Sequence, residues 1–156
     1  MIEIIVPGHR HFRLEHLVLD YNGTLARDGT LLEGVTNRLT ALAPHIRVHV
    51  LTADTHGDVS RQLTDLSCVL TIIGKRHQDH EKLAYVKHLG TENAVCIGNG
   101  RNDRFMVGEA ALGIAVLQDE GTAVETLCAA DILTHSIIDA LDLLLYPLRL
   151  IATLRN

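Results

Sequence analysis

The chain has 156 residues, 47% of them apolar, with no tryptophan, three tyrosines, two phenylalanines and a formal net charge of -5. That length suits one ordinary domain with a core of Leu, Ile, Val and Ala, as in layered α/β folds, and the negative charge argues against a nucleic-acid partner. Cys68, Cys96 and Cys128 lie far apart with no CxxC spacing, which suggests neither a disulfide framework nor a thiolate zinc cage and fits a reducing cytoplasm.

The N-terminus MIEIIVPGHR lacks the charged-then-apolar order of a signal peptide. Ile2 to Val6 and Leu14 to Asp20 read as strands, and Pro7 and Gly8 between them predict a hairpin. Val35 to Leu42 then reads as helix, Ile46 to Leu51 as strand, Val59 to Leu66 as helix, Val69 to Ile73 as strand and His80 to Leu89 as helix. Ala94 to Ile97 is strand-like, Asp103 to Ala110 helical, Leu112 to Val116 strand, Thr122 to Ala129 helix and Asp131 to Leu133 a short strand. In a last helix, Ile137, Ile138, Leu141, Leu144 and Leu145 recur at helical spacing and predict one buried face. Asp142, Pro147 and Arg149 break the apolar C-terminal run, so no membrane span is expected.

Alternating strands and helices predict an α/β fold of three layers, a Rossmann-like, mostly parallel sheet with helices on both faces, plus the N-terminal β-hairpin. In such sheets ligands bind beyond the carboxyl ends of the strands, which is where Asp20, Thr52 and the loop after Ile97 fall.

Four segments carry candidate chemistry. LVLDYNGTL, Leu17 to Leu25, delivers Asp20 from an apolar strand into a turn of Asn22, Gly23 and Thr24, where a carboxylate is a candidate nucleophile. In VLTADT, Val50 to Thr55, Thr52 closes a strand and its hydroxyl can bond a phosphate oxygen, although alone it reads as a cap; Gly57 follows near the next helix start. Lys82 opens the helix KLAYVKHL as a point cation able to neutralise phosphoryl charge, with Lys75 and Lys87 competing for the role and a solvated helix face as the plain alternative. CIGNGRND, Cys96 to Asp103, is a strand, a glycine-bracketed turn and a helix start, where Asp103 is either a dipole-favoured carboxylate or, with Asp20, a pair of hard oxygens for Mg²⁺. His9 with His11, and His77 with His80, have no further ligands at zinc spacing.

Taken together, DYNGT, VLTADT, Lys82 and IGNGRND resemble, in order and approximate spacing, the four motifs of the haloacid dehalogenase (HAD) superfamily of phosphoryl-transfer enzymes. Ala110 to Leu133, AALGIAVLQDEGTAVETLCAADIL, further resembles the stretch after the last motif in the phosphorylation domain of P-type ATPases. The resemblance covers roughly Leu17 to Leu133 and implies a HAD-like domain, a soluble relative without the membrane helices or inserted nucleotide-binding domain of a pump. It implies that Asp20 is phosphorylated, that Tyr21, Asn22, Thr52, Ala53 and Lys82 surround the phosphate, and that Mg²⁺ is held by Asp20, the backbone carbonyl of Asn22, Asn99 and Asp103.

Two residues depart from the pattern. Asn22 stands where phosphatases of the superfamily carry a second aspartate, and an amide can be neither general acid nor base, a role typically worth about 10²- to 10⁴-fold. P-type ATPases carry threonine there, and their phospho-enzyme hydrolyses slowly. Asn99 replaces a common aspartate, which predicts weaker Mg²⁺ binding. Asp54 and Asp28 are candidate substitute acids.

Only a short flap, ARDGTLLEG, fits between Thr24 and Val35, and nothing large fits between Thr55 and Lys82, so no substrate-selecting cap is expected. In the family, open sites act on large substrates or are roofed by other subunits, as in the capless sugar-acid phosphate phosphatases. The expectation is therefore a cytoplasmic, Mg²⁺-dependent phosphohydrolase or phosphotransferase acting on a small phosphorylated molecule, with low activity on simple monoesters. It binds no nucleic acid or membrane, and assembles as a homo-oligomer, a dimer or tetramer, with the apolar tail LRLIATL as a contact. The rival expectation is a non-catalytic phosphate-binding or assembly module; a receiver domain, which also uses a strand-end aspartate and a lysine, fits GNGRND badly.

Overall fold

The computed structural model describes residues 1–54 and 58–156. Thr55 and Gly57, named above, lie outside the described residues.

The chain opens with β1 (Ile2–Ile5) and β2 (His11–Leu14), paired antiparallel with Ile2 opposite Leu14. The bend between them is closed by the Val6 amide donating to the Arg10 carbonyl, 2.8 Å. The predicted hairpin exists, but its second strand is not the one that ends at Asp20. LEHLVLD divides at Glu15, whose amide and carbonyl bond Asn93 and Arg47, and the chain leaves the hairpin to enter the main sheet as β3 (His16–Asp20). Apolar residues run through both strands, so their pattern does not mark where one sheet hands over to the other.

The flap that follows holds a two-residue ribbon, β4 (Ala26–Arg27) and β5 (Thr30–Leu31). Then come α1 (Val35–Leu42), β6 (Arg47–Thr52), α2 (Asp58–Gln62), β7 (Cys68–Ile72) and α3 (Gln78–Leu89). Next are β8 (Ala94–Gly98), a 3₁₀ turn over Arg101–Asp103, α4 (Arg104–Glu109), β9 (Leu112–Val116), α5 (Val124–Ala129) and β10 (Ile132–Thr134). The predicted last helix is two, α6 (Ile137–Leu145) and α7 (Pro147–Leu154), because Pro147 opens a new helix where it cannot continue the old one. The helix expected from Val59 to Leu66 is shorter, yet Leu63 and Leu66 beyond its end are still buried.

The central sheet has six strands in the order β10-β9-β8-β3-β6-β7, every neighbouring pair parallel. Strand residues alternate between its faces. Leu17, Leu19, Val48, Val50, Val95 and Ile97 enter one core with α1, α2 and α6, whereas Val18, Leu51 and Cys96 meet Val86 of α3 and Met106 and Val107 of α4 on the other side. This is the three-layer α/β arrangement, and it puts β3 at the sheet's centre. The apolar tail folds back: Leu150 is buried, Ile151 and Leu154 pack on the core, and Leu148 is left 80% exposed. Among the described residues no helix is long and apolar enough to cross a membrane.

Candidate active site at the strand ends

Asp20 is the last residue of β3, with Leu51 opposite it on β6, while Leu19 faces Ile97 on β8. The carboxyl ends of three adjacent strands thereby bring Asp20, Thr52 and the turn after Gly98 to one point of the sheet edge.

The Lys82 ammonium joins the two acids. Its Nζ donates to Asp20 Oδ1 at 2.6 Å and to Asp103 Oδ1 at 2.5 Å, and with the residue only 1% exposed the carboxylates replace water as its partners. Lys82 and Val86 share the buried face of α3, so this lysine is not a solvated helix-face cation. Lys75 and Lys87 are exposed.

Asp103 is held by its own turn. Its Oδ2 accepts the backbone amides of Asn99 at 3.0 Å and Gly100 at 2.9 Å. A Cβ on Gly98 would stand 2.5 Å from Asp103 Cγ, so the strand must end in glycine for the carboxylate to tuck beneath it. Thr24, which the sequence places only in a turn, donates within 3.2 Å of both Asp20 Oδ2 and Asn99 Oδ1, while Asn99 Nδ2 donates to the Gly121 carbonyl at 2.9 Å. Both ends of the Asn99 amide are engaged within the protein.

Burial raises the Asp20 carboxyl and the nearby Asp103 charge raises it further, while Lys82 and Thr24 oppose them; the result is a pKa of about 7. For Lys82, burial works against the charge, yet the two carboxylates hold its pKa above the ordinary lysine value. Two carboxylates sharing one ammonium leave an unmatched negative charge in a buried place. That donor set fits a hard divalent cation, which Asp20, Asp103 and the Asn22 carbonyl would hold. Among the described residues no group of three or more His, Cys, Asp or Glu side chains converges, so the remaining oxygens would be those of backbone and water.

Above Lys82 opens a cleft of about 210 Å³ lined by Asp20, Asn22, Thr52, Ala53, Lys82 and Asn99, together with the turn and helix residues Gln78, Gly100 and Asn102 and one further carboxylate, Glu120. Asp103 lies beneath it. Tyr21 is not brought in by its side chain, which is buried and donates from its hydroxyl to the Gly29 carbonyl at 3.3 Å. Neither Asp28 nor Asp54 lines the cleft. The larger concavity, about 610 Å³, sits at the opposite ends of the strands beside Glu15, Arg47 and Cys68 and gathers none of the motif residues.

Glu120 and Gln118 escaped the motif reading. Both lie in the turn after β9, whose Gln118 and Gly121 have positive φ. Gln118 Nε2 donates to the Gly23 and Thr24 carbonyls at 2.8 and 2.9 Å, and Arg27 pairs with Asp119 at 2.5 Å, so this turn is fastened to the turn after Asp20. The signal available in the sequence was a polar QDEG cluster between a strand and a helix.

The chain is 44% identical over 79 residues to the uncharacterized protein MJ0073 of Methanocaldococcus jannaschii, a match covering 48% of this chain and 85% of that one. Among solved structures, it is similar to the 3-deoxy-D-manno-octulosonate 8-phosphate phosphatase of Moraxella catarrhalis, solved with magnesium, phosphate and KDO. That likeness has a TM-score of 0.70 and 19% identity, over 85% of this chain and 86% of that chain. A protein of Streptomyces avermitilis MA-4680, described as a HAD family hydrolase, superposes with a TM-score of 0.69 at 18% identity, over 86% and 87% of the two chains. No family model matches the sequence.

Proposed function

Because the chain belongs to one family with MJ0073 and has the haloacid dehalogenase fold, we propose that it is a Mg²⁺-dependent phosphohydrolase or phosphotransferase working through an aspartyl-phosphate on Asp20. The observation that carries this reading is Lys82 bridging Asp20 and Asp103 at the floor of the cleft. An Asp20 carboxylate oxygen attacks phosphorus in line with the leaving oxygen, while Lys82 holds the nucleophile in place and offsets phosphoryl charge. Thr52, buried at the end of β6, offers its hydroxyl to a phosphoryl oxygen. When bound, Mg²⁺ would screen the repulsion between the carboxylate and the phosphoryl group.

The substrate is a small phosphorylated molecule. Turnover of simple monoesters is low, since Asn22 cannot move a proton and the phospho-enzyme resembles that of P-type ATPases in decaying slowly. A second copy of the chain roofs the open cleft in a homo-oligomer, and the protein works in the cytoplasm, where its three cysteines stay as thiols.

The test is to incubate the protein with Mg²⁺ and acetyl phosphate or a nucleotide, and to locate incorporated phosphate by mass spectrometry after borohydride trapping. Phosphate on Asp20 is expected. A protein that accepts phosphate from no donor and hydrolyses no member of a broad phosphoester panel is not this enzyme. Asn22 also favours a second reading, a non-catalytic phosphate-binding module; beryllofluoride bound at Asp20 without any turnover would select it.

A further inference from the structure

The cleft holds a carboxylate that none of the four motifs supplies. Among the described residues its ionisable side chains are Asp20, Lys82 and Glu120. Asp20 and Lys82 are committed to each other, which leaves Glu120, among the described lining residues, as the carboxylate able to serve a reacting group. Asp28 and Asp54, the other acids that sequence offers in place of the missing one, are not among its lining residues.

Glu120 is brought to the turn after Asp20 by several independent contacts. A Cβ on Gly23, whose φ is +81°, would stand 2.6 Å from Asn99 Nδ2 and 2.8 Å from Glu120 Oε2, so the Glu120 carboxylate and the Asn99 amide together occupy the space that a side chain at residue 23 would fill. Gly23 directly follows Asn22, the residue lacking the acid. Gln118 and the Arg27–Asp119 pair fix the same turn, and Glu120 Oε1 accepts the Asp28 amide at 3.5 Å, a weak bond that leaves the carboxylate able to rotate.

From this geometry, and resting on the reading of Asp20 as nucleophile, we infer that Glu120 is the general acid and base of the reaction, replacing from the turn after β9 the function that Asn22 lacks. In the first half-reaction Asp20 forms its bond to phosphorus, the bond from phosphorus to the ester oxygen breaks, and that oxygen takes the proton of the Glu120 carboxyl. In the second, the Glu120 carboxylate takes a proton from water as the water oxygen attacks phosphorus and the bond to Asp20 breaks. Phosphate leaves, with Asp20 ionised and Glu120 protonated as at the start.

The experiment compares wild type, Glu120→Gln, Asn22→Asp and the double variant, all with Mg²⁺, on phenyl phosphate and on acetyl phosphate, whose leaving group needs no proton. Glu120→Gln is expected to lower kcat on phenyl phosphate about 100-fold with KM within about threefold, while phosphorylation by acetyl phosphate changes less than about tenfold. Adding Asn22→Asp to the same variant should restore turnover. Glu120 is exposed, so its replacement does not threaten the fold. An unchanged kcat, equal losses on both substrates, or no rescue by Asn22→Asp overturns the inference. Turnover by Asn22→Asp alone, with none in wild type, overturns it while leaving the proposed function standing; no phosphorylation or turnover in any variant overturns both.

Discussion

Lys82 Nζ lies 2.6 Å from Oδ1 of Asp20 in a site that water scarcely reaches. Replacing Lys82 by Met removes the cation but keeps most of the bulk, so two carboxylates are left buried without it. Losing one partner of such a set typically costs about 3–5 kcal/mol. Thermal and denaturant unfolding should show a loss of that size, partly recovered by added Mg²⁺; a loss under about 1 kcal/mol would mean that the acids find other partners.

Asn22 is exposed at the mouth of the cleft, so a carboxylate can be placed there without burying a charge. In the Glu120→Gln background, Asn22→Asp is expected to raise kcat on simple phosphomonoesters by about tenfold or more, bounded by the usual range of proton-transfer catalysis, and to shorten the lifetime of phosphorylated Asp20. Steady-state assays and single-turnover decay of the labelled protein measure the two effects. Equal rates in both proteins would place the limiting step outside proton transfer.

Gly98→Ala tests the close packing beneath the turn. The new methyl would meet Asp103 Cγ at 2.5 Å, and the carboxylate must move away from the Asn99 and Gly100 amides that it accepts. Overpacking of this kind typically costs about 1–3 kcal/mol. Affinity for Mg²⁺ should fall along with stability, and calorimetric titration would read the two together.

On the α3 side of the sheet, His49 Nε2 lies 3.0 Å from His16 Nδ1, and His49 Nδ1 lies 2.9 Å from the Tyr85 hydroxyl. Burial lowers the His49 pKa to about 4, with the His16 and Arg47 charges adding to the effect. The unfolded chain therefore binds a proton at this residue between about pH 6.5 and 4 while the folded chain does not, so stability is lost as pH falls through that window. The loss is at most about 3 kcal/mol. His49→Gln should flatten the pH dependence of Tm over that range; an unchanged slope would assign it to other groups.

The sheet was legible because each strand ends in a residue that changes the pattern: Asp20 after Leu17–Leu19, Thr52 after Val50 and Leu51, Gly98 after Ile97. The hairpin partner was not, since Leu14 and Leu17 are both apolar and only Glu15 separates strands that join different sheets. Lys82 could be chosen over Lys75 from its position before GNGRND, but its burial among acids depends on α3 packing across the sheet. Glu120 was illegible for a stronger reason. Its meaning comes from Gly23, nearly a hundred residues earlier, and no local spacing encodes that meeting.

Gln118 also accepts the Ile137 amide at 2.8 Å on the oxygen of the same side chain whose nitrogen holds the Gly23 and Thr24 carbonyls. One amide group thus works as a latch between the turn after Asp20 and the first residue of α6. Fraying of α6 and opening of that turn become a single event, and slow hydrogen exchange at Ile137 should report, from outside the cleft, whether Asp20 is held ready to react.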